Sequence, residues 1–181
     1  FSWFCPAPDD PKHWRVVRAR SGGGPLSDMG SHMLDVLIGL FSMPESVMAD
    51  CANQVHRWDV EDAANLILTL PNGVRATGSF AWNSKTWRHE FEIVGTEAKL
   101  LWLPYDTGPV MKTVGRQVTS IDLPEAENVH VPLVADFVEA VRQHRPPAVP
   151  LAEAARTNTV LDAIYAAAAA RRQMPIGVSV S

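Results

Sequence analysis

Asp28, His32 and Asp35 stand four and three residues apart in the run Gly22-Gly23-Gly24-Pro25-Leu26-Ser27-Asp28-Met29-Gly30-Ser31-His32-Met33-Leu34-Asp35. A helix that begins at Pro25 puts all three on one narrow face, because residues four and seven apart overlie one another at 3.6 residues per turn. A carboxylate one turn before a histidine can hold the imidazole in one tautomer and raise its basicity. That is the equipment of a proton relay or general acid–base pair. Gly23 and Gly24, just ahead of the helix, let a ligand approach the backbone, and a helix amino-terminus favours anionic groups. The same residues have plainer readings. Asp28 is favoured in a first helical turn by the helix dipole whether or not it does chemistry, and a lone His next to an Asp on a helix is most often a surface or capping arrangement. Two carboxylates and an imidazole can also ligate a cation, as in a metal-dependent hydrolase or isomerase, yet no further His or Cys spacing supports a metal site.

A second group of ligand-type side chains follows the central hairpin signal. Trp82, Asn83, Trp87, Arg88 and His89 cluster there, and aromatic faces and amides suit polyol ligands. Sheet packing and cross-strand pairing are the ordinary alternative. Arg15 is a further candidate for substrate contact. His13, His56, His130 and His144 have polar neighbours and no partner spacing, and read as surface residues.

The elements that must carry these side chains are legible from periodicity. Residues 1–5 read as a strand already under way, so the chain reads as a fragment, and the prolines of residues 6–11 impose an irregular stretch. Met29, Met33, Leu37, Leu40 and Phe41 recur at helical spacing from Leu26, and Pro44 ends that helix. Residues 47–58 read as extended. Residues 64–70 and 74–82 read as two strands joined by Pro71-Asn72-Gly73. Alternation predicts strands at 90–94 and 99–103, with two weaker ones between 110 and 123. Helices close the chain at 131–143 and 151–173, joined by the proline-rich connector 146–150. The order defines an α+β domain spanning 1–181, with a mostly antiparallel, open sheet and helices on one face.

Composition narrows the partners. A net charge of −4 and scattered lysines exclude the basic footprint of a nucleic-acid binder. Two cysteines with no metal spacing fit a reducing, cytoplasmic setting, and no stretch reads as a signal peptide or membrane span.

The run GGGPLSDMGSHMLDVLIGLFSMPESVMA closely resembles the signature of the glucose-fructose oxidoreductase / inositol dehydrogenase / rhizopine-catabolism family. DAANLILTLPNGVRATG is similar to that family's central hairpin, and Ile93-Val94-Gly95-Thr96-Glu97-Ala98 to its I-x-G-T-x-G/A segment. Trp14-Arg15, Phe137-Val138-Glu139-Ala140-Val141 and the last helix match further family features, so the resemblance covers nearly the whole chain. It implies an amino-terminal Rossmann domain that binds NAD or NADP, followed by a substrate domain whose open sheet often forms a dimer interface. It also implies hydride transfer between a sugar, inositol or related polyol and the nicotinamide, with Asp28 and His32 in the signature Asp and His positions. Arg15, Trp82 and Asn83 are then the candidate substrate contacts, and Gly23 and Gly24 the candidate cofactor contacts. This sequence departs from the family in two respects. It has no Gly-x-Gly-x-x-Gly behind a strand, and no Glu-Lys-Pro to supply the family's lysine. The expectation is a substrate half that binds no cofactor and turns nothing over by itself. The alternative is a binding or dimerisation module that keeps the fold without the chemistry.

Overall fold

The computed structural model describes residues 2–4, 12–124 and 128–177. The irregular stretch expected over 6–11, and residues 1 and 5 of the opening strand, lie outside them. The chain divides into two compact units, Phe1–Trp87 with Ala154–Ser181, and Arg88–Glu153.

The first unit is built on a six-stranded sheet in the order β10-β2-β3-β4-β1-β5. Its members are β1 (Ser2–Phe4), β2 (Ser46–Ala52), β3 (Ala63–Thr69), β4 (Arg75–Ala81), β5 (Asn83–Arg88) and β10 (Met174–Pro175). β3 and β4 form the expected hairpin, turned by Asn72 at φ 61° and Gly73 at φ 77° and closed by Leu70 N–H to Val74 O at 2.9 Å. Alternation then sorts the side chains. Ala64, Leu66 and Leu68 are buried, while Asn65 and Ile67 are exposed. The buried face continues through Val47 of β2 and Phe80 of β4.

Helices α2 (Ser31–Phe41) and α4 (Leu151–Ala170) contribute the rest of this core. Met33, Leu34, Leu37 and Ile38 are buried on α2, as are Thr157, Val160, Ile164 and Ala167 on α4. Helix α2 stops at Phe41, where Ser42 turns to φ 70° two residues ahead of Pro44. A short helix α1 (Arg18–Ser21) leads into the glycine run.

The second unit is an antiparallel sheet in the order β6-β7-β8-β9 with helix α3 (Val131–Gln143). Its strands are β6 (Phe91–Val94), β7 (Lys99–Trp102), β8 (Val110–Val114) and β9 (Gln117–Ile121). Phe91, Trp102 and Tyr105 meet ring to ring, and His89 lies edge-on to Tyr105. The apolar stripe of α3 differs from the sequence reading: Leu133, Val134, Phe137 and Val141 are exposed, and Ala140 is its buried residue.

The sequence also predicts extended chain to residue 58, whereas β2 ends at Ala52. The cause is Asp62. Its buried carboxylate accepts the N–H groups of Gln54, Val55 and His56 at 2.8, 2.9 and 2.7 Å, so three successive donors converge on one acceptor. His56 stacks on Trp58 at 3.8 Å, and both are half-buried, not surface-exposed as His56 reads in the sequence. Burial alone would raise the Asp62 carboxyl, but the three N–H donors and the nearby His56 outweigh it and hold the group below its usual range. A folded-state pKa below the unfolded value adds stability above the ordinary carboxylate range, and that stability fades as pH falls through the folded value. Asp62→Ala is therefore expected to cost about 2 kcal/mol in urea denaturation at pH 7. The gap between variant and parent should narrow below pH 4, roughly the ordinary carboxylate value.

Candidate functional site

The segment from Gly22 to His32 begins as a loop and becomes helical in two stages. Gly22 takes φ 79°, a left-handed geometry that glycine adopts freely. Leu26–Gly30 then winds as a π turn, which passes into α2 at Ser31. Single π turns inside helices are uncommon and concentrate at functional sites. Leu26 is fully buried beneath this turn, and Gly30 leaves room for it.

Asp28 lies in the turn, about one-third exposed, with its carboxylate 3.4 Å from the Arg15 guanidinium. That guanidinium also rests over the Trp14 ring at 4.6 Å. His32 is exposed in the first turn of α2, and among the described residues its imidazole has no hydrogen-bond partner. Asp28 and His32 thus share the start of α2, but Asp28 answers to Arg15. Among the described residues they make no hydrogen bond to each other. Asp35 does something different: it accepts the Thr157 hydroxyl at 2.9 Å and ties α2 to α4. Among the described residues no group of three His, Cys, Asp or Glu converges as a metal site would require.

The glycines have an internal reason to be glycine. Gly23 and Gly24 are buried, and a Cβ on Gly23 would fall 2.1 Å from the Tyr165 hydroxyl. One on Gly24 would fall 1.9 Å from the backbone oxygen of Glu61. Gly24 is a candidate cofactor contact in the sequence reading, and here its N–H donates to Glu61 Oε1 at 2.9 Å. Tyr165 donates to the same oxygen at 2.9 Å, and its hydroxyl also meets Ser27 Oγ at 2.9 Å. Burial first, then the Glu61 charge, pushes the Tyr165 phenol up. Burial, then Glu61 and Asp50, likewise pushes the Cys51 thiol up to about 12, which leaves it an unreactive thiol.

Trp82 is fully buried against Val16 and Val60, with Trp58 packed alongside, so it offers no open ring face. Trp87 is the tryptophan of that stretch with exposed surface. Asn83 is half-buried at the start of β5 and donates to Gln54 Oε1 at 3.0 Å. Sequence reasoning missed Glu61 and Ser27 as parts of the site. A glutamate ahead of an apolar strand gives no sign of burial, and its partners lie 37 and 104 residues away.

This is an α+β domain that presents an aspartate and a histidine at a helix start. A dinucleotide site is a different matter. β10, β2, β3 and β4 pair antiparallel in turn, as do β6 to β9, while β1 pairs parallel with β4, and no strand–glycine turn–helix unit is present among the described residues. The residues described do not fit a nucleotide pocket of their own. The family model of the GFO/IDH/MocA C-terminal domain matches residues 1–101, and the chain belongs to that family.

Among relatives, Oxidoreductase P35 of Formosa agariphila is 24% identical over 152 residues, 83% of this chain and 46% of that protein. Among solved structures, the aldose–aldose oxidoreductase of Caulobacter crescentus, complexed with glycerol, is similar with a TM-score of 0.83 and 24% identity, over 96% of this chain and 53% of that one. Levoglucosan dehydrogenase in complex with NADH is similar with a TM-score of 0.82 and 17% identity, over 97% of this chain and 56% of that one. Both structures share the α+β fold, and the chain spans about half the length of the proteins it matches.

The two ends of the glycine run should respond differently to added volume. Gly24→Ala, which drives a Cβ into backbone, is expected to cost about 3 kcal/mol. Gly22→Ala meets no atom within 4 Å and should cost only about 1 kcal/mol, for its left-handed geometry. Chemical denaturation of the two variants measures the difference.

Proposed function

We propose that this chain is the substrate-side half of a nicotinamide-dependent oxidoreductase acting on a sugar, inositol or related polyol. The observation that carries the reading is the exposed start of α2, where His32 and the Arg15-held Asp28 stand together behind an internally anchored glycine loop. The relatives' names support it, since they include an aldose–aldose oxidoreductase and a levoglucosan dehydrogenase with NADH. NAD or NADP supplies hydride exchange in such an enzyme and is held by a Rossmann domain beyond this chain, so the chain alone is inactive.

The residues here have their own work. His32 Nδ1 or Nε2 takes the proton of the substrate hydroxyl, or returns it, at the carbon being oxidised or reduced. The Arg15 pair fixes the Asp28 carboxylate as an acceptor for that hydroxyl or its neighbour. Arg15 and Asn83 contribute polar contacts to the polyol, and Trp82 supports them from the core. Gly23 and Gly24 act through the shape they give the loop. No helix among the described residues is long and apolar enough to cross a membrane. In the whole protein, His32→Ala is expected to lower kcat about 100-fold or more, with little change in melting temperature. Undiminished turnover would remove His32 from the mechanism.

The whole protein pairs with a second copy through the outer face of the six-stranded sheet. Met48 and Ile67 face each other in register on β2 and β3, and they are 49% and 48% exposed. With Thr69, Arg75 and Gln173 they line a shallow hollow. Light scattering on Ile67→Glu should give monomer where the parent gives dimer. A dimer that survives the charge would place the contact elsewhere.

A further inference from the structure

We propose that Glu61 is the positioning residue of this site: its buried carboxylate, joined to Gly24 and Tyr165, sets the path of the segment from Gly22 to Asp28 and so the placement of Asp28 and His32. The inference rests on the reading of Asp28 and His32 as the reacting pair, and it assigns a role to the Glu61, Tyr165 and Ser27 side chains without placing them on substrate or cofactor.

Glu61 is 5% exposed, and burying a carboxylate is costly unless donors converge on it. Here they converge on one atom. Oε1 accepts the Gly24 N–H and the Tyr165 hydroxyl, while Oε2 is buried with no hydrogen-bond partner. Direction follows from proton count. Tyr165 has one proton and gives it to Glu61, so the contact between Ser27 and Tyr165 must be donated by Ser27. The result is a one-way chain from Ser27 through Tyr165 to Glu61, with a second arm from Gly24. Its two feet lie on residues 24 and 27, either side of the turn that leads to Asp28.

That geometry anchors the chain just ahead of the helix. The first N–H groups of a helical segment have no partner within it. Neither the π turn nor α2 receives a side-chain cap from its own N-cap residue, Pro25 or Gly30. Glu61 supplies an acceptor for the Gly24 N–H, one residue ahead of Pro25, and a negative charge near the helix start, from just ahead of β3. The packing of Gly23 on Tyr165 and of Gly24 on the Glu61 backbone leaves the loop no room to settle closer. Loss of the clamp therefore lets the segment move as a unit, and Asp28 with it. An error of this kind costs turnover more than nucleotide affinity, because alignment of reacting atoms is steeply distance-dependent.

The test uses the whole protein with Glu61→Ala, Glu61→Gln and Tyr165→Phe, each measured well below its own melting temperature. Glu61→Ala is expected to lower kcat about tenfold or more while the KM for the nicotinamide changes less than about twofold. Glu61→Gln, which keeps an oxygen acceptor at Oε1, should recover kcat to within about threefold of the parent. Tyr165→Phe keeps the ring and should fall between them. The His32 ring proton shift, followed by NMR across pH, gives a readout that does not need turnover. It should depart from the parent's titration in Glu61→Ala and return in Glu61→Gln. If no sugar or polyol is turned over by the parent, the functional reading fails, and the His32 titration still decides the positioning role. Should Glu61→Ala not fold, Tyr165→Phe decides alone. Parent-like kcat together with a parent-like His32 titration, in a folded clamp variant, overturns the proposal.

Discussion

Residues 23 and 24 have to be glycine because the chain there runs directly against the Tyr165 hydroxyl and the backbone of Glu61. The exposed end of α2 depends on that close approach. A loop held at van der Waals contact to the sheet's lead-in and to α4 has little freedom to wander, and the turn it feeds inherits the constraint. The glycines are what make a hydrogen bond from Gly24 N–H to a buried carboxylate geometrically possible. A side chain at either position would hold the loop off by the thickness of a methyl group, and the bond would be lost.

Two consecutive acids ahead of β3 organise two different loops. Glu61 reaches the glycine segment and Asp62 gathers the N–H groups of residues 54–56. Successive side chains of extended chain point to opposite sides, so neighbours in sequence can serve separate loops. The backbone between them is itself fixed. Asp62 N–H donates to Ala52 O at 3.1 Å, and Asp62 O accepts from Trp82 N–H at 2.8 Å. The short segment ahead of β3 is therefore tied to β2 on one side and to the end of β4 on the other. The candidate residues Asp28 and His32 and the candidate contact Asn83 share this reference frame, since Glu61 holds the glycine segment ahead of the first two and Asn83 is bonded to Gln54 in the loop that Asp62 holds.

Much of the scaffold was legible in the sequence because it is governed by local periodicity. The alternation at 64–70 and 90–94, the Pro-Asn-Gly turn and the apolar stripe of α2 each name their element without tertiary information. What escaped depends on distant partners. The curl at 53–58 reads as strand until the Asp62 carboxylate is known to be buried beneath it. β5, with Ser84, Lys85 and Thr86, lacks an apolar face and exists as an edge strand beside β1. The spacing of Asp28 and His32 correctly places both at one helix start, yet it also suggests a mutual hydrogen bond. Arg15, thirteen positions earlier in sequence, takes the carboxylate instead.

The ion pair of Asp28 with Arg15 also bears on what kind of substrate the site suits. Both side chains are partly exposed, so the pair contributes little to stability. An anionic ligand would have to compete with Asp28 for the guanidinium and would meet the carboxylate at close range. A neutral polyol faces neither cost. Its hydroxyls can donate to the Asp28 carboxylate and accept from the guanidinium without separating the two charges. The paired charges thus act as one polar surface with a donor and an acceptor side. His32, at the start of α2, carries an imidazole that can both donate and accept a proton. On the proposed reading of Asp28 and His32, that combination suits hydroxyl chemistry on an uncharged substrate better than on a charged one.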